Sequence, residues 1–144
     1  MSEQREDVRA WVQKAEEDFQ IVPILSRQRK KLASGICFHA QQSAEKYLKA
    51  FLVRERLAFP KTHDLLKLLQ LCQRRDALLQ SLHPLLQMLN AYSVMPRYPG
   101  EKPTIEEAKE AVKIVKEVRQ LLRQRLGLQE PKKRTKHSKR SSSS

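Results

Sequence analysis

Apolar residues recur along most of this chain with the period of a helix. Val8, Trp11, Val12, Ala15, Phe19 and Val22 fall at i, i+3, i+4, i+7, i+11 and i+14, which is one stripe of an amphipathic helix. Pro23 then kinks that helix or ends its first part. A second segment places Ala33, Ile36, Cys37, Ala40, Ala44, Tyr47, Leu48 and Phe51 on one continuous face and is expected to end near Arg56, before Pro60. A third opens with Thr62 as N-cap and Asp64 in the first turn, continues through Leu65, Leu66, Leu68, Leu69 and Cys72, and stops near Arg75. Leu78 to Tyr92 is Leu-rich, with Pro84 as an interruption. The last helix begins at Thr104, where Thr104 and Glu107 have the spacing of a capping box. It runs through Ala108, Ala111, Val112, Val115, Val118 and Leu122 and closes at Gly127. No segment alternates with period two over the length of a strand, so the pattern predicts an all-α, up-and-down bundle of four to five helices.

Composition narrows the class further. The chain has 144 residues and is 40% hydrophobic, enough for one core, and its 3 glycines are too few for a turn-rich β fold or a glycine-rich phosphate loop. Residues 1–128 are expected to form the bundle, and residues 129–144 a disordered basic and Ser-rich tail without apolar side chains to bury. Charge is lopsided: 29 Lys+Arg against 16 Asp+Glu give +13. Lys132, Lys133, Arg134, Lys136, Lys139 and Arg140 supply six of these charges, and removing six from +13 leaves residues 1–130 still basic at +7. Such a balance favours an anionic partner, and the tail residues are candidates for non-specific contact with nucleic acid.

Cys37 and Cys72 lie inside apolar helical patterns and are expected as reduced, buried thiols. The charged start MSEQREDVRA has no apolar signal core, so a cytoplasmic location is expected. Ala77 to Pro96 lacks charged residues, but Gln80, Ser81, His83, Pro84, Gln87, Asn90 and Ser93 interrupt it, which argues against a membrane span.

Three groups carry candidate chemistry. His39, Ser43 and Lys46 fall at i, i+4 and i+7, on one helix flank, where a ring nitrogen, a hydroxyl and a cation in line suit a phosphate or a base. Lys61, Thr62, His63 and Asp64 open a helix, and helix N-terminal amides attract phosphate. Tyr92, Arg97 and Tyr98 belong to a loop stiffened by Pro96, Pro99 and Pro103, where a guanidinium fork and aromatic faces fit a phosphate and a base. His39, His63, His83 and His137 have no second His or Cys at ligand spacing, so neither a metal nor another cofactor is expected.

Three stretches in this order and spacing, CFHAQQSAEKYLKAFL (37–52), PKTHDLLKLL (60–69) and NAYSVMPRYPGEKPTIEEAKEAV (90–112), resemble the HEPN domain family of prokaryotic helical bundles. With the WVQKAEEDF start, the resemblance covers residues 7–126. It implies a bundle that commonly dimerises and a nucleotide- or RNA-related role, often beside a small nucleotidyltransferase in a toxin–antitoxin pair. Surplus apolar surface on the second and fourth segments also points to a homodimer. Many members of the family are metal-independent ribonucleases built on an Arg, four to six residues, then a His. Here no His follows Arg97 at that distance. Arg56 and His63 have the spacing, but Leu57 stands where the family usually has a polar residue. The readings are therefore a nucleotide- or RNA-binding module, a toxin-like endoribonuclease using Arg56 and His63 or Arg97 with a His from elsewhere in the fold, or a protein–protein adaptor.

Overall fold

The computed structural model describes residues 2–28, 32–92 and 102–128, with side chains from residue 7 onward. They form α1 (Ser2–Ser26), α2 (Ala33–Arg54), α3 (Leu65–Gln73), a 3₁₀ helix (Ala77–Leu82), α4 (His83–Asn90) and α5 (Ile105–Arg125). The architecture is all-α, as the periodicity predicts.

The second helix is the axis of the fold, because α1, α3, α4 and α5 all pack against it. Residues 47 to 52 of α2 are buried without a break, and Ala40 and Ala44 are fully buried where neighbours come close. At the start of α2 a Cβ on Gly35 would lie 3.0 Å from Leu25 Cδ1, so glycine there permits close packing of α1. The apolar surplus that sequence assigns to α2 is thus used inside one chain, and a dimer draws no support from that helix. Among the described residues the exposed large hydrophobics are instead Ile24, Leu32, Leu78, Met88 and Ile105.

The first helix continues through Pro23 to Ser26. Pro84 initiates α4 by occupying its first turn, where a missing N–H does no harm. Thr104 and Glu107 make the reciprocal capping box of α5, with Glu107 N–H donating to Thr104 Oγ1 at 3.0 Å and Thr104 N–H to Glu107 Oε1 at 2.8 Å.

The start of α3 corrects one expectation. Asp64, not Thr62, is the N-cap: its Oδ1 accepts from Leu66 N–H at 3.0 Å and Lys67 N–H at 3.3 Å. Thr62 Oγ1 accepts from Asp64 N–H one turn earlier. A carboxylate suits the positive end of a helix, and contacts from α4 favour Asp64 over Thr62. Asn90, from the end of α4, completes the junction by donating to Asp64 Oδ1 and accepting from Leu65 N–H at 2.7 Å.

The link 55–64 carries the chain back along α2. Gln41 donates to the His63 carbonyl at 3.0 Å, and Cys72 Sγ lies 3.7 Å from the Leu48 carbonyl, so α3 advances in the direction of α2. The fifth helix does the same, since Arg123 meets Tyr47 and Arg54 meets Arg125. Both α2 and α5 end in a Schellman turn. At α2, Leu57 N–H bonds to Leu52 O and Arg56 N–H to Val53 O, with Arg56 at φ 59°. At α5, Leu128 N–H bonds to Arg123 O and Gly127 N–H to Gln124 O, with Gly127 at φ 76°.

Candidate functional site

Two buried carboxylates, Asp18 of α1 and Glu45 of α2, each hold one histidine and one lysine. On the α1 side the carboxylate is Asp18. Its Oδ1 lies 2.7 Å from His39 Nδ1 and its Oδ2 lies 2.5 Å from Lys46 Nζ. The His39–Lys46 flank is therefore real, but its two charged partners already face a counter-ion. Ser43, the middle member, is fully buried, and its hydroxyl has no hydrogen-bond partner among the described residues. The group acts first as a clasp between α1 and α2.

On the α3 side the carboxylate is Glu45, whose side chain is 3% exposed. Lys49 Nζ lies 2.9 Å from Oε2, and His63 Nδ1 lies 2.9 Å from Oε1. Gln42 adds a longer bond to Oε1 at 3.2 Å and also donates to Gln41 Oε1 at 2.8 Å. Trp11 and Phe59 pack edge to face beside this set, with Lys49 Nζ 5.4 Å and 6.0 Å from their ring centroids. Lys49 is thus enclosed by one carboxylate and two aromatic faces, which is how an ammonium is tolerated with little water.

His63 differs from His39 in where it points. Its side chain is 63% exposed, against 27% for His39. An ionised carboxylate only accepts, so the bond to Glu45 requires the proton on Nδ1 and leaves the lone pair of the neutral ring on Nε2. Nε2 has no partner among the described residues. Gln41 meanwhile holds the His63 backbone. The result is an imidazole fixed from behind and presented to solvent, with exposed Lys61 two residues away. The helix N-terminus beside it is not an open anion site, because Asp64 and Asn90 already satisfy its first amides.

A third cluster joins three helices. Glu16 accepts from Arg119 Nε at 2.7 Å, from Arg119 Nη2 at 2.9 Å, and from the Tyr47 hydroxyl. Burial alone would raise the Glu16 carboxyl, but the bonds from Arg119 and Tyr47 and the charges of Arg119 and Arg123 hold it below the usual carboxylate value. Burial and the neighbouring Glu16 push the Tyr47 phenol up. Tyr47 is therefore a structural donor.

The other candidates separate. Tyr92 Oη lies 3.5 Å from Glu107 Oε2 and lines a groove with Glu106, Glu107 and Glu110, surroundings that repel phosphate. Burial, with Cys37 and Glu107 nearby, raises its phenol to about 12. Arg56 is exposed just past the end of α2, whereas His63 sits beside Glu45, nine residues before the helix ends. At a rise of about 1.5 Å per residue the two levels are about 13 Å apart. One chain thus does not set Arg56 and His63 on a common phosphate. Arg97 and Tyr98 lie outside the described residues, as do Lys132, Lys133, Arg134, Lys136, Lys139 and Arg140.

Asp18, Gln41, Glu45 and Lys49 were not among the residues singled out from sequence. Gln41, Glu45 and Lys49 fall at i, i+4 and i+8, a polar line in the most buried helix, and that line was the available signal. Both cysteines are free and buried, with burial raising Cys37 to about 11 and Cys72 to about 12. No helix among the described residues is long and apolar enough to cross a membrane.

Neither the comparison with curated proteins nor that with solved structures returned a match. The HEPN domain family model does match, over residues 8–125, a span that contains all three clusters. With its all-α architecture and this match over most of its length, the chain belongs to the HEPN domain family.

Proposed function

We propose that this HEPN domain is a nucleotide- or RNA-binding module that works as a homodimer beside a small nucleotidyltransferase, in a toxin–antitoxin-like pair. Family membership supports a nucleotide- or RNA-related role in general. The observation that carries the reading to a residue is the carboxylate-backed His63, whose Nε2 faces solvent in a basic protein. A neutral imidazole there accepts a hydrogen bond from a ribose hydroxyl or base, and a protonated one donates to phosphate. Lys61 adds a cation next to it. Titrating the protein with AMP and with a short oligoribonucleotide, and repeating with His63→Ala, tests this: wild type binds and the variant does not. Co-purification with the product of a neighbouring nucleotidyltransferase gene, and light scattering for the dimer mass, test the two partner statements.

One observation favours a second reading, the endoribonuclease. A buried carboxylate on Nδ1 is also how an imidazole is oriented to take a ribose 2′-OH proton at Nε2. The wide separation of Arg56 weighs against it, because the phosphorane charge then lacks its guanidinium within one chain. Metal-independent cleavage of RNA in EDTA, abolished by His63→Ala, is the result that would establish this reading over the binding module.

A further inference from the structure

The groove between α4 and α5 combines an apolar floor with an acidic rim. Met88, Ala91 and Ile114 line the floor, the volume is about 490 Å³, and Met88 is 52% exposed. Glu106 and Glu110 form the rim. The side chain of Glu107 is already held by Thr104 and Tyr92. Those of Glu106 and Glu110 are exposed and have no ion-pair or hydrogen-bond partner among the described residues. Glu117 is in the same state, and at i+7 from Glu110 it carries the stripe toward the end of α5. Lys102, Lys109, Lys113 and Lys116, the neighbouring cations, pair with none of the three.

An unpaired acidic stripe stands out in a chain of net charge +13, and the chain itself supplies a complement. Residues 131–144 carry six cations and no acid, and they begin shortly after α5. Reach fits as well as charge. At about 1.5 Å per residue, Glu117, Glu110 and Glu106 stand about 12, 22 and 28 Å back from Arg125 along the helix. At about 3.3 Å per residue, an extended chain beyond residue 128 brings Lys132 to about 13 Å, Lys136 to about 26 Å and Arg140 to about 40 Å. The segment therefore spans the stripe with slack. The pole where α5 ends offers no such field. Antiparallel packing of α1 on α2 brings Glu3, Glu6 and Asp7 there beside Glu55, but Arg5, Arg9, Arg54, Arg74 and Arg75 share those segments. Asp76, at the same pole, is held by Arg125.

We infer that the α4–α5 groove seats the basic segment 132–140 of the same chain, running back along α5. Lys132 or Lys133 then faces Glu117, Lys136 faces Glu110, and Lys139 or Arg140 faces Glu106. Lysine stems cover apolar surface while their ammonium groups stay in water, which suits an apolar floor beside an acidic rim. Single exposed ion pairs are weak, so the attachment depends on several of them and on the tether. A tether makes the encounter intramolecular, with an effective concentration of order millimolar, so a weak site is still filled. Seated there, the six cations are withheld from other anions, and an anionic ligand must compete with the groove for them. The inference is independent of the His63 reading.

The test is methyl NMR of Met88 and Val8 in the full chain at low ionic strength, with a spin label on Ser141→Cys. Cys37 and Cys72 are buried, and wild type given the same treatment is the control for labelling there. Met88 reports on the groove and Val8 on the start of α1. The Met88 methyl should lose most of its intensity, by the same factor at every protein concentration, while Val8 keeps its own. The intensity should return in 1 M salt, where the screening length falls to about 3 Å. It should also return in the triple variant Glu106→Gln/Glu110→Gln/Glu117→Gln, whose circular dichroism checks that the helices are kept. If that variant unfolds, the salt series on the labelled chain decides alone. An unaffected Met88 overturns the inference, and so does a loss that persists in 1 M salt or in the folded triple variant. Broadening at Val8 in place of Met88 would put the segment on the acids of α1. A Met88 loss that fades on dilution would assign the groove to the tail of a second copy. Either result overturns the proposal.

Discussion

Two buried carboxylates, Asp18 on α1 and Glu45 on α2, each hold one histidine and one lysine, and the outcomes differ. Asp18 binds His39 and Lys46 across the α1–α2 seam, and all three contribute to one interhelical clasp. Glu45 binds Lys49 and His63, but its lysine is sealed under Trp11 and Phe59 while its histidine stands in solvent. What separates a clasp from a presented group is which partner the chain covers. On one side a long helix lies over the histidine. On the other, a turn preceding α3 delivers the histidine from outside.

The largest expected effect lies in the carboxylates. Glu45→Ala strands Lys49 in a nearly dry site, and breaking a buried pair from one side costs about 3–5 kcal/mol. Glu45→Gln keeps an acceptor for His63 and should lose less. Chemical denaturation of both variants checks the order, and equal losses would mean that the unpaired Lys49 charge, which both variants create, is the whole cost.

Smaller effects distinguish the histidines. His39→Ala leaves one oxygen of Asp18 without its partner and should destabilise by about 1–3 kcal/mol, with AMP binding unchanged once folded protein is compared. His63→Ala should change stability by under about 1 kcal/mol, because the ring is largely exposed, yet remove AMP binding. Thermal midpoints and titration calorimetry on both variants provide the contrast. Reversed outcomes would exchange the roles of the two sites.

A second pair of features isolates backbone strain. The Schellman turns ending α2 and α5 share their hydrogen-bond pattern, but one places Arg56 and the other Gly127 in the left-handed position. Arg56→Gly should stabilise by about 1 kcal/mol, and Gly127→Ala should destabilise by about the same amount, since left-handed backbone disfavours any Cβ. At Gly127 an added Cβ meets nothing within 4 Å, so the change there is conformational alone. Opposite signs in the two midpoint shifts confirm it.

The smallest effect appears only in acid. Because Glu16 is held below its usual value in the folded state, its stabilising contribution is complete above the unfolded carboxyl value of 4.5 and is lost as pH falls through the lowered folded value. Wild type should therefore lose stability more steeply below that pH than Glu16→Gln. Parallel denaturation curves of the two across the acid range would contradict the linkage.

Much of this architecture is readable from apolar spacing. The stripes of α1, α2 and α5 and the Thr104–Glu107 box follow from local rules, because each depends on residues within a few turns of one another. The cap of α3 does not, since Thr62 and Asp64 both suit the role, and the contacts of Asn90 from a distant helix favour Asp64. The sites were half visible. His39, Lys46 and His63 stand out as chemical groups, but what each does depends on Asp18 and Glu45. Asp18 is 21 residues from His39 and Glu45 is 18 from His63, separations that helical periodicity does not register. Ser43 shows the reverse error, since correct spacing on a flank places it in the core.

The central claim is that His63, not His39, is the imidazole available to a ligand. Histidine ring NMR on the full chain, titrated with AMP, tests it directly. The account predicts saturable shifts in the His63 ring resonances and none at His39. Shifts confined to His39, or none at either ring while AMP binds, would contradict it.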